Sequence, residues 1–375
     1  MRKFVKTGCI LLSALLITGT CTTKVTDRVD AKTAGINVNY HTEAEIRQYI
    51  AENPFDFSAS VYDETPNYKS APYSAGKLSD ETLQNALNAL NTMRFVAGID
   101  EVELSEDDNL RCQAGALINA VNNSLSHSPT QPDGMSDELY QLGLEGASSS
   151  NIGWGYNSLV QNIISGWMED GDEYNIECLG HRRWCLNPSM EYTGFGNVGS
   201  FYSMYAFDNW FADTEYYGVA WPAQVMPVQY FGSNYPWSIS MGQEVDISKV
   251  SVMIENMSDG EIWTFSEEMS DGYFTVSNEG YGKTGCIIFR PTNIEYKAGD
   301  IFNVTITGTE TPVSYTVDFF DIEAEEKEYT ASDVSAYADF IVGRNEGDED
   351  ITDLTGDKKV NVFDVIYIRR SLIQS

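Results

Sequence analysis

Histidine is scarce in this 375-residue chain, which has only three, at positions 41, 127 and 181. Basic residues are also few, because 23 Lys and Arg stand against 56 Asp and Glu, for a net charge of −33. Nucleic-acid binding and anionic-membrane binding both depend on clustered Lys and Arg. The composition therefore argues against both classes, while 42% hydrophobic and 12% aromatic residues are enough for packed cores.

The apolar run near the N-terminus, Cys9 to Ile17, is too short to span a membrane stably. Basic residues precede it and small residues follow at Thr18 to Cys21, which is the pattern of an export signal. We therefore expect residues 1–21 to be a signal peptide and the protein to be secreted. Lipid attachment at Cys21 is the alternative, although Thr20 departs from the usual Gly or Ala.

Cysteine is sparse as well. Cleavage near Cys21 would leave four, at positions 112, 178, 185 and 286. An even number permits disulfides in an oxidising compartment. Cys178 and Cys185 are the best candidate pair because they lie close in sequence, although the sequence does not establish that the bond forms.

The chain lacks the common nucleophile and zinc-protease motifs Gly-x-Ser-x-Gly and His-Glu-x-x-His. The segment GFGNVG, 194–199, has the spacing of a dinucleotide-binding loop. That motif needs a following helix, whereas FYSMYAF has the composition of a strand. We therefore do not expect nucleotide binding.

Residues 79–215 show helix patterns first and strand patterns afterwards. Ser79 and Ser105 are N-cap residues for two helices, the first of which ends before Gly98. The aromatic-rich segments 193–198 and 201–210 have strand patterns. This order is typical of an α+β domain. The preceding residues 22–78 are expected to form a linker and N-terminal extension with one helical stretch, Glu43 to Asn53.

Residues 216–320, here called the β-module, contain short β-rich runs separated by turn residues. Such spacing predicts an all-β, sandwich-like module. We find no catalytic constellation in it, and we expect its larger aromatic side chains to be core residues rather than platforms for sugars. These aromatics are Trp221, Tyr235, Trp237 and Trp263.

A calcium-binding loop is predicted at DLTGDKKVNVFD, residues 353–364. An EF-hand loop places its oxygen ligands at positions 1, 3, 5, 7, 9 and 12. Lys358 occupies the position where glycine is expected, which should weaken the affinity. The alternative is an acidic turn before a helix. The predicted ligands are Asp353, Thr355, Asp357, Lys359 through its carbonyl, Asn361 and Asp364.

The segment upstream, TASDVSAYADFIV (330–342), is similar to NVFDVIYIRRSLI (361–373) and indicates a repeat. Ala324 stands at a ligand position of the loop before the first copy. Any first calcium site is therefore expected to be degenerate.

The motifs of residues 79–210 together resemble the CAP superfamily of cysteine-rich secretory, antigen-five and pathogenesis-related proteins. The matching segments are NTMRFVAG (91–98), SHSP (126–129), SNIGWG (150–155), the helix at Trp167, LGHRRWCLNP (179–188) and TGFG (193–196). The resemblance implies an α-β-α sandwich with a cleft that holds two histidines and two acidic residues.

In this resemblance, His127 and His181 correspond to the two histidines, and Asp170 or Glu169 to the second acid. Ser150 stands where the first acid belongs, with Glu145 close enough in sequence to replace it. These two histidines and three acids are the catalytic candidates. The two histidines could also hold zinc or another divalent metal, although catalytic zinc generally needs a third protein ligand.

Residues 321–375 look like a type I dockerin, the calcium-binding module that attaches secreted proteins to cohesins of a cellulosome scaffold. The resemblance implies that Val362 and Phe363, together with Arg369 and Arg370 on the following helix, face the cohesin. It also implies a cell-surface complex that degrades plant cell-wall polysaccharide.

The sequence thus predicts a secreted cellulosome component that docks by its dockerin and uses its CAP-like region to bind a ligand or metal. The alternative is a metal-dependent or His/acid hydrolase acting on extracellular peptides or polysaccharides. A glycosidase is a third reading, since glycoside hydrolysis needs two positioned carboxylates. It is disfavoured because the CAP-like region leaves little room for a catalytic barrel.

Overall fold

The computed structural model of the chain describes residues 34–209, 212–324, 330–344, 351 and 359–374. The predicted signal peptide and the loop residues Asp353, Thr355 and Asp357 lie outside these ranges. No helix among the described residues is both long enough and apolar enough to cross a membrane.

The N-terminal extension makes hydrogen bonds to both of the regions that follow it. Helix α1 (Glu43–Glu52) begins at a capping box on Thr42, and strands β1 (Tyr62–Glu64) and β2 (Lys77–Leu78) pair with each other. Asn39 donates its N–H to the Gly98 carbonyl, while Asn37 pairs with Tyr217 in the β-module. The expected linker is therefore a strap that contacts two regions.

The CAP-like region begins with the helices that the caps predict. Helix α2 (Asp80–Val96) starts at Ser79 and helix α3 (Glu106–Asn122) starts at Ser105, and each cap hydroxyl accepts the expected backbone N–H. Helix α4 (Asp137–Ser148) follows and packs against α3. The remaining short strands of this region, β3 (Glu103–Leu104) and β5 (Tyr192–Thr193), form a parallel pair.

A three-stranded antiparallel sheet forms the centre of this region. Its strands are β4 (Ser150–Trp154), β6 (Phe195–Val198) and β7 (Phe201–Tyr205), in the order β4-β7-β6. Side chains alternate between the two faces of a strand. Gly196 lies against the Cys112 backbone of α3, and Gly153 lies against Asn162 of another helix. Helices therefore cover both faces. GFGNVG lies in the β6–β7 hairpin, so no helix follows it.

Two further short helices lead to the histidine segment. Helix α5 (Leu159–Asn162) continues directly as a π-helical turn, Ile163–Trp167. After a connection that contains Asp170, helix α6 (Gly180–Cys185) carries His181.

The β-module is built from two sheets, and the β-rich runs predicted from its sequence include six segments within residues 250–320 that are all strands. The larger sheet has the order β12-β11-β15-β16-β9 and the smaller one β13-β14-β10-β8. The Trp237 ring of the smaller sheet contacts Phe302 and Phe319 of the larger, with centroids 5.7 and 6.5 Å apart. The strands are β8 (Val219–Trp221), β9 (Val225–Pro227), β10 (Trp237–Ser240), β11 (Ser251–Asn256), β12 (Ile262–Phe265), β13 (Gly272–Ser277), β14 (Cys286–Pro291), β15 (Ile301–Thr307) and β16 (Val313–Phe320).

The aromatic side chains of the β-module behave mostly as expected. Trp221, Trp237 and Trp263 are buried in the core. Tyr235 is only partly buried and lies on the side that faces the CAP-like region.

The C-terminal region contributes helices α7 (Ala331–Ile341) and α8 (Val362–Gln374), which pack together. Tyr337 and Ile368 are buried, one on each helix. The two similar segments of the predicted repeat, 330–342 and 361–373, thus both form helices.

The candidate disulfide between Cys178 and Cys185 is a wrong expectation, since Cys112, Cys178, Cys185 and Cys286 are all free thiols. Helix α6 separates the pair. The Cys185 thiol is buried near the Asn151 amide, whereas the Cys178 thiol is at the rim beside the Asn175 carbonyl. Closeness in sequence did not bring the two sulfur atoms together.

Candidate functional site

The centre of the candidate site is a direct contact between His181 and Asp170. The imidazole Nδ1 lies 2.7 Å from Oδ1 of the carboxylate. The other carboxylate oxygen accepts the backbone N–H groups of His181 and Arg182, at 2.9 and 3.2 Å. Asp170 is 2% exposed and the His181 side chain 23%. Asp170 therefore fixes both the ring and the start of the helix that carries it.

The backbone around this pair has several unusual conformations. Asp170 and Leu179 both have a φ of +49°, in the left-handed region that residues with a side chain rarely adopt. A π-helical turn, which is rare and frequent at functional sites, ends three residues before Asp170. Each left-handed residue costs on the order of 1–3 kcal/mol, and such strain clusters at binding and catalytic sites.

Two opposing effects set the pKa of His181. Burial disfavours the charged imidazolium and lowers the pKa, but the charge of Asp170 and its hydrogen bond raise it, with a further contribution from Asp172. The net result is a raised pKa. Burial also raises the pKa of the neighbouring Glu169 carboxyl, against a lowering by Arg182.

Of the two acids considered from the sequence, Asp170 is the one that contacts His181. Glu169 is half-buried, and its backbone carbonyl accepts a hydrogen bond from Arg182. Ser150, in the position of the missing first acid, is buried with its hydroxyl 3.4 Å from the Cys112 thiol. Glu145 does not take over that position, since its side chain is 66% exposed and 3.8 Å from Arg111.

His127 lies at the surface, in the loop after α3. Its Nδ1 is 2.8 Å from the Ala147 carbonyl, just before β4. Four residues further on, in β4, the Asn151 side chain donates to the His181 carbonyl at 2.9 Å. Both histidines are thus attached to the α4–β4 segment, but no hydrogen bond among the described residues joins one imidazole to the other.

The two histidines provide only part of the ligand set that a divalent metal needs. In both histidines Nδ1 is engaged, which is the usual arrangement when Nε2 binds a metal. In the described part of the chain, however, no group of three or more His, Cys, Asp or Glu side chains could hold a metal ion. The donors present do not fit a catalytic zinc site. Divalent-metal binding by His127 and His181 stays a prediction.

Two consecutive arginines, whose role the sequence did not reveal, connect the site to the β-module. Arg182 and Arg183 are both buried. Arg182 donates to the carbonyls of Met168 and Glu169, and also to Pro236 of the β-module at 2.6 Å. Arg183 donates to the Ser277 hydroxyl at 2.9 Å. The only sign of this role in the sequence was the run Arg182-Arg183-Trp184. It could not identify the partners, because Pro236 and Ser277 are 54 and 94 positions away.

At the C-terminus, the structure describes half of the predicted calcium ligands. Asp364 is fully buried, and its carboxylate accepts the Asn361 backbone N–H at 2.6 Å. Lys359 and Asn361 precede it in the described loop. Of the predicted cohesin-facing residues, Val362, Phe363 and Arg369 are exposed, with Phe363 at 60%, while the Arg370 side chain lies outside what the structure describes.

Comparison with known proteins supports the first of the two family resemblances. The family model described as the cysteine-rich secretory protein family, CAP, matches residues 87–212, so a CAP domain is present. The match includes His127, Asp170 and His181. No curated protein matches the chain.

Proposed function

We propose that the CAP domain is a binding domain in which His181, held by Asp170, recognises an uncharged hydrogen-bond acceptor of an extracellular ligand. The observation that carries this proposal is the 2.7 Å contact between His181 Nδ1 and the buried Asp170 carboxylate. A peptide carbonyl or a sugar hydroxyl would supply the acceptor. An anionic ligand is disfavoured by the net charge of −33 and by the neighbouring acids Glu169 and Asp172.

The orientation of the ring gives the site its chemistry. Because Nδ1 is occupied by Asp170, Nε2 is the nitrogen that remains for a ligand. When His181 is protonated, Nε2 carries a hydrogen and donates. When the ring is neutral and Nδ1 keeps its hydrogen, Nε2 becomes an acceptor. Binding of an acceptor ligand should therefore weaken as pH rises through the raised pKa of His181.

Binding is favoured over catalysis by what surrounds the ring. Ser150 is buried against Cys112, and Glu145 points to solvent near Arg111. The described contacts of His181 thus include one acid and no activated nucleophile. A lone His–Asp pair orients a proton donor but supplies no second group for hydrolysis.

The test follows the three histidine Hε1 resonances by NMR while a probe is added. The probes are cellohexaose and a blocked alanine tetrapeptide. We expect one of them to shift the His181 resonance in the wild type and neither to do so in His181→Gln, which also assigns the signal. If neither probe moves His181 at a pH where it is protonated, the binding proposal is wrong.

A hydrolase is the second candidate, because a carboxylate-oriented histidine is also the arrangement of a general base. It would act on extracellular peptides or polysaccharides. Incubation with the same two probes separates the readings, since binding leaves the probe intact and hydrolysis releases shorter products. Products that disappear in Asp170→Asn would favour the hydrolase.

We further propose that the chain is a secreted, cellulosome-type component that docks to a cohesin through its C-terminal region in a calcium-dependent manner. The EF-hand spacing of residues 353–364, the buried carboxylate of Asp364 at its end, and the exposed Val362 and Phe363 support this proposal. Calcium bound by the loop would fix the start of α8 and with it this apolar pair.

Capture of the full chain on an immobilised type I cohesin tests the docking. We expect capture with calcium and release by a chelator. Asp353→Ala combined with Asp364→Ala should abolish capture. The matched control Asp339→Ala, which changes a half-exposed acid on α7, should not. Capture that ignores the chelator would contradict calcium-dependent docking.

A further inference from the structure

The short turn that carries Asp170 is held by the β-module as well as by the CAP domain. On the CAP side, Arg182 donates to the carbonyls of Met168 and Glu169, the two residues before Asp170. On the other side, Arg290 of β14 donates to the carbonyl of Gly171, the residue after it, at 3.1 Å. Asp170 thus lies between the residues held by Arg182 and the residue held by Arg290.

The same arginines also bind one loop of the β-module, residues 234–236. Arg290 Nη1 donates to the Asn234 carbonyl at 3.1 Å, and Arg182 Nη1 donates to the Pro236 carbonyl at 2.6 Å. Each guanidinium therefore bridges the Asp170 turn to this loop. An arginine can do so because its five N–H donors are held in a fixed plane.

The turn and the loop are also in close steric contact. A Cβ added to Gly171 would lie 2.7 Å from Pro236 Cδ and 3.3 Å from the Asn234 carbonyl oxygen. Nearby, the Tyr235 hydroxyl in the middle of this loop lies close to the Ser165 side chain in the π-helical turn. We call this contact between residues 168–171 and the 234–236 loop the seam, and the residues on both sides of it restrict the positions that the Asp170 backbone can take.

Such restriction is needed because Asp170 has the left-handed conformation, with φ +49°. An aspartate released from its neighbours would relax towards the more stable right-handed or extended regions, and its carboxylate would move from His181. The Arg182 guanidinium does not hold the whole turn, because the carbonyls of the turn that it contacts precede Asp170 and the Gly171 carbonyl is held by Arg290.

We propose that the β-module completes the His181 site, with Arg290 and the 234–236 loop as positioning elements that hold Asp170 against the imidazole. This inference deepens the proposed binding function and rests on it for its biological meaning. It assigns a role to a module whose sequence carries no catalytic constellation. It also makes ligand recognition by the CAP domain depend on a residue more than a hundred positions away from Asp170.

The experiment uses the full chain with Arg290→Gln and Arg290→Lys, and Lys249→Gln as a control. Lys249 is an exposed cation of the β-module paired with Asp246, so its loss changes the charge equally without touching the seam. The first readout is the His181 Nδ1–H proton in 15N-edited NMR spectra. The hydrogen bond to Asp170 should slow its exchange with water and make it visible, and its loss in Asp170→Asn would assign it.

We expect this signal to be retained in the wild type and in Lys249→Gln and lost in Arg290→Gln. Arg290→Lys should restore part of it, since an ammonium can reach one of the two carbonyls. An Arg290→Gln protein that folds, as judged by circular dichroism, and keeps the full signal would overturn the proposal.

The pKa of His181 gives a second readout in which charge and position act in opposite directions. Removing the Arg290 charge alone would make protonation easier and raise the pKa. Moving Asp170 away removes its charge and hydrogen bond and lowers it. The charged and titratable groups near this pair are Asp172, Glu169, Arg182, Arg290, Tyr156, Cys178 and Cys185. A lowered pKa in Arg290→Gln supports positioning, whereas an unchanged or raised one overturns it.

Gly171→Ala keeps the proposal testable should Arg290→Gln not fold. The added methyl must displace the turn from Pro236 while both arginines stay in place. Loss of the Nδ1–H signal supports the proposal and its retention contradicts it. Neither readout needs a ligand, so failure of cellohexaose and of the peptide to bind would defeat the proposed function and leave this inference standing.

Discussion

Three arginines, Arg94, Arg182 and Arg183, are buried in a chain whose excess charge is strongly negative. The described hydrogen bonds of their guanidinium groups go to backbone carbonyls and serine hydroxyls. Burial lowers the pKa of Arg94 and of Arg182 to about 10. These side chains act as cross-links between distant backbone segments, and Arg94 holds the segment after α6 through the carbonyls of Cys185 and Asn187.

The first prediction concerns Asp170→Asn. The substitution removes the charge that raises the pKa of His181 and leaves the burial that lowers it. We expect the pKa of His181 to fall below its ordinary value of about 6.5. NMR titration of the three histidine resonances measures it, with His41 as internal control because its ring stacks on Phe95, far from Asp170 in sequence. An unchanged His181 pKa would mean that the contact is not made in solution.

The second prediction follows from the raised pKa of His181 in the folded protein. A group with a raised folded pKa contributes stability that is fully present below its unfolded pKa, about 6.5. The contribution is lost as pH rises from there through the folded pKa. The difference in Tm between the wild type and His181→Gln should therefore be largest in mildly acidic buffer and shrink towards alkaline pH. A difference that grows with pH would contradict this sign.

At the scale of the elements, the structure depends on close approaches that need glycine. Helix α3 lies so near the central sheet that a Cβ on Gly196 would be 2.3 Å from the Cys112 carbonyl carbon. Both sides of this contact are backbone, so neither can rotate away. Because Gly196 has no side chain, α3 packs directly on the sheet and Cys112 is buried between them.

The third prediction is therefore that Gly196→Ala destabilises the CAP domain by about 1–3 kcal/mol, the usual cost of overpacking. Gly280→Ala is the matched control, since nothing lies within 4 Å of its added Cβ and its φ is not in the left-handed region. Urea unfolding followed by tryptophan fluorescence compares the two. Equal losses in both variants would show that the α3–sheet contact is looser than described.

Local signals made most of these elements predictable. Ser79 and Ser105 begin their helices because a serine hydroxyl satisfies a free N–H of the first turn, a feature that sequence displays directly. The strands of the β-module were likewise predictable, because β-rich runs separated by turn residues are visible in the sequence. The contact of His181 with Asp170 was anticipated only through family resemblance, and as one of two acids.

What the sequence did not predict depends on contacts between distant residues. Arg182 and Pro236 are 54 positions apart, and Arg290 and Gly171 are 119 apart. Such pairs leave no periodicity, because each partner is a backbone carbonyl that any residue could supply. The left-handed Asp170 was hidden for a similar reason, since its conformation is imposed by neighbours rather than by its own preference. The disulfide expectation was wrong because it relied on the short sequence distance between Cys178 and Cys185. Whether a disulfide forms depends on the direction of the two side chains, and these thiols have different surroundings.

At the scale of the whole molecule, hydrogen bonds join three regions of the described chain, and a pair of helices follows them at the C-terminus. The strap of residues 34–78, the CAP domain and the β-module share hydrogen bonds, as between Asn37 and Glu215 or Arg182 and Pro236. Helices α7 and α8 pack mainly on each other. We therefore expect substitutions at Asp170 and substitutions in the predicted calcium loop, residues 353–364, to act independently of each other.

The last prediction uses this independence. Calcium at about a hundred times its dissociation constant should stabilise the C-terminal helix pair by about 2.7 kcal/mol. The His181 resonance should not move. Differential scanning calorimetry, with and without chelator, measures the first effect, and NMR the second. Asp353→Asn should remove the calcium effect without changing the calcium-free transition.

Asp364→Asn should lower the unfolding temperature of the C-terminal helix pair both with calcium and without it. The reason is that the buried Asp364 carboxylate also accepts the Asn361 N–H, a bond contributing about 1 kcal/mol. The control is Asp339→Asn, which changes a half-exposed acid of α7 paired with Arg344 and should retain the full calcium effect. The loop prediction would fail if the wild type showed no calcium-dependent transition, or if all three variants lost it equally. In the second case calcium would be responding to the overall negative charge of −33 and not to the spacing of residues 353–364.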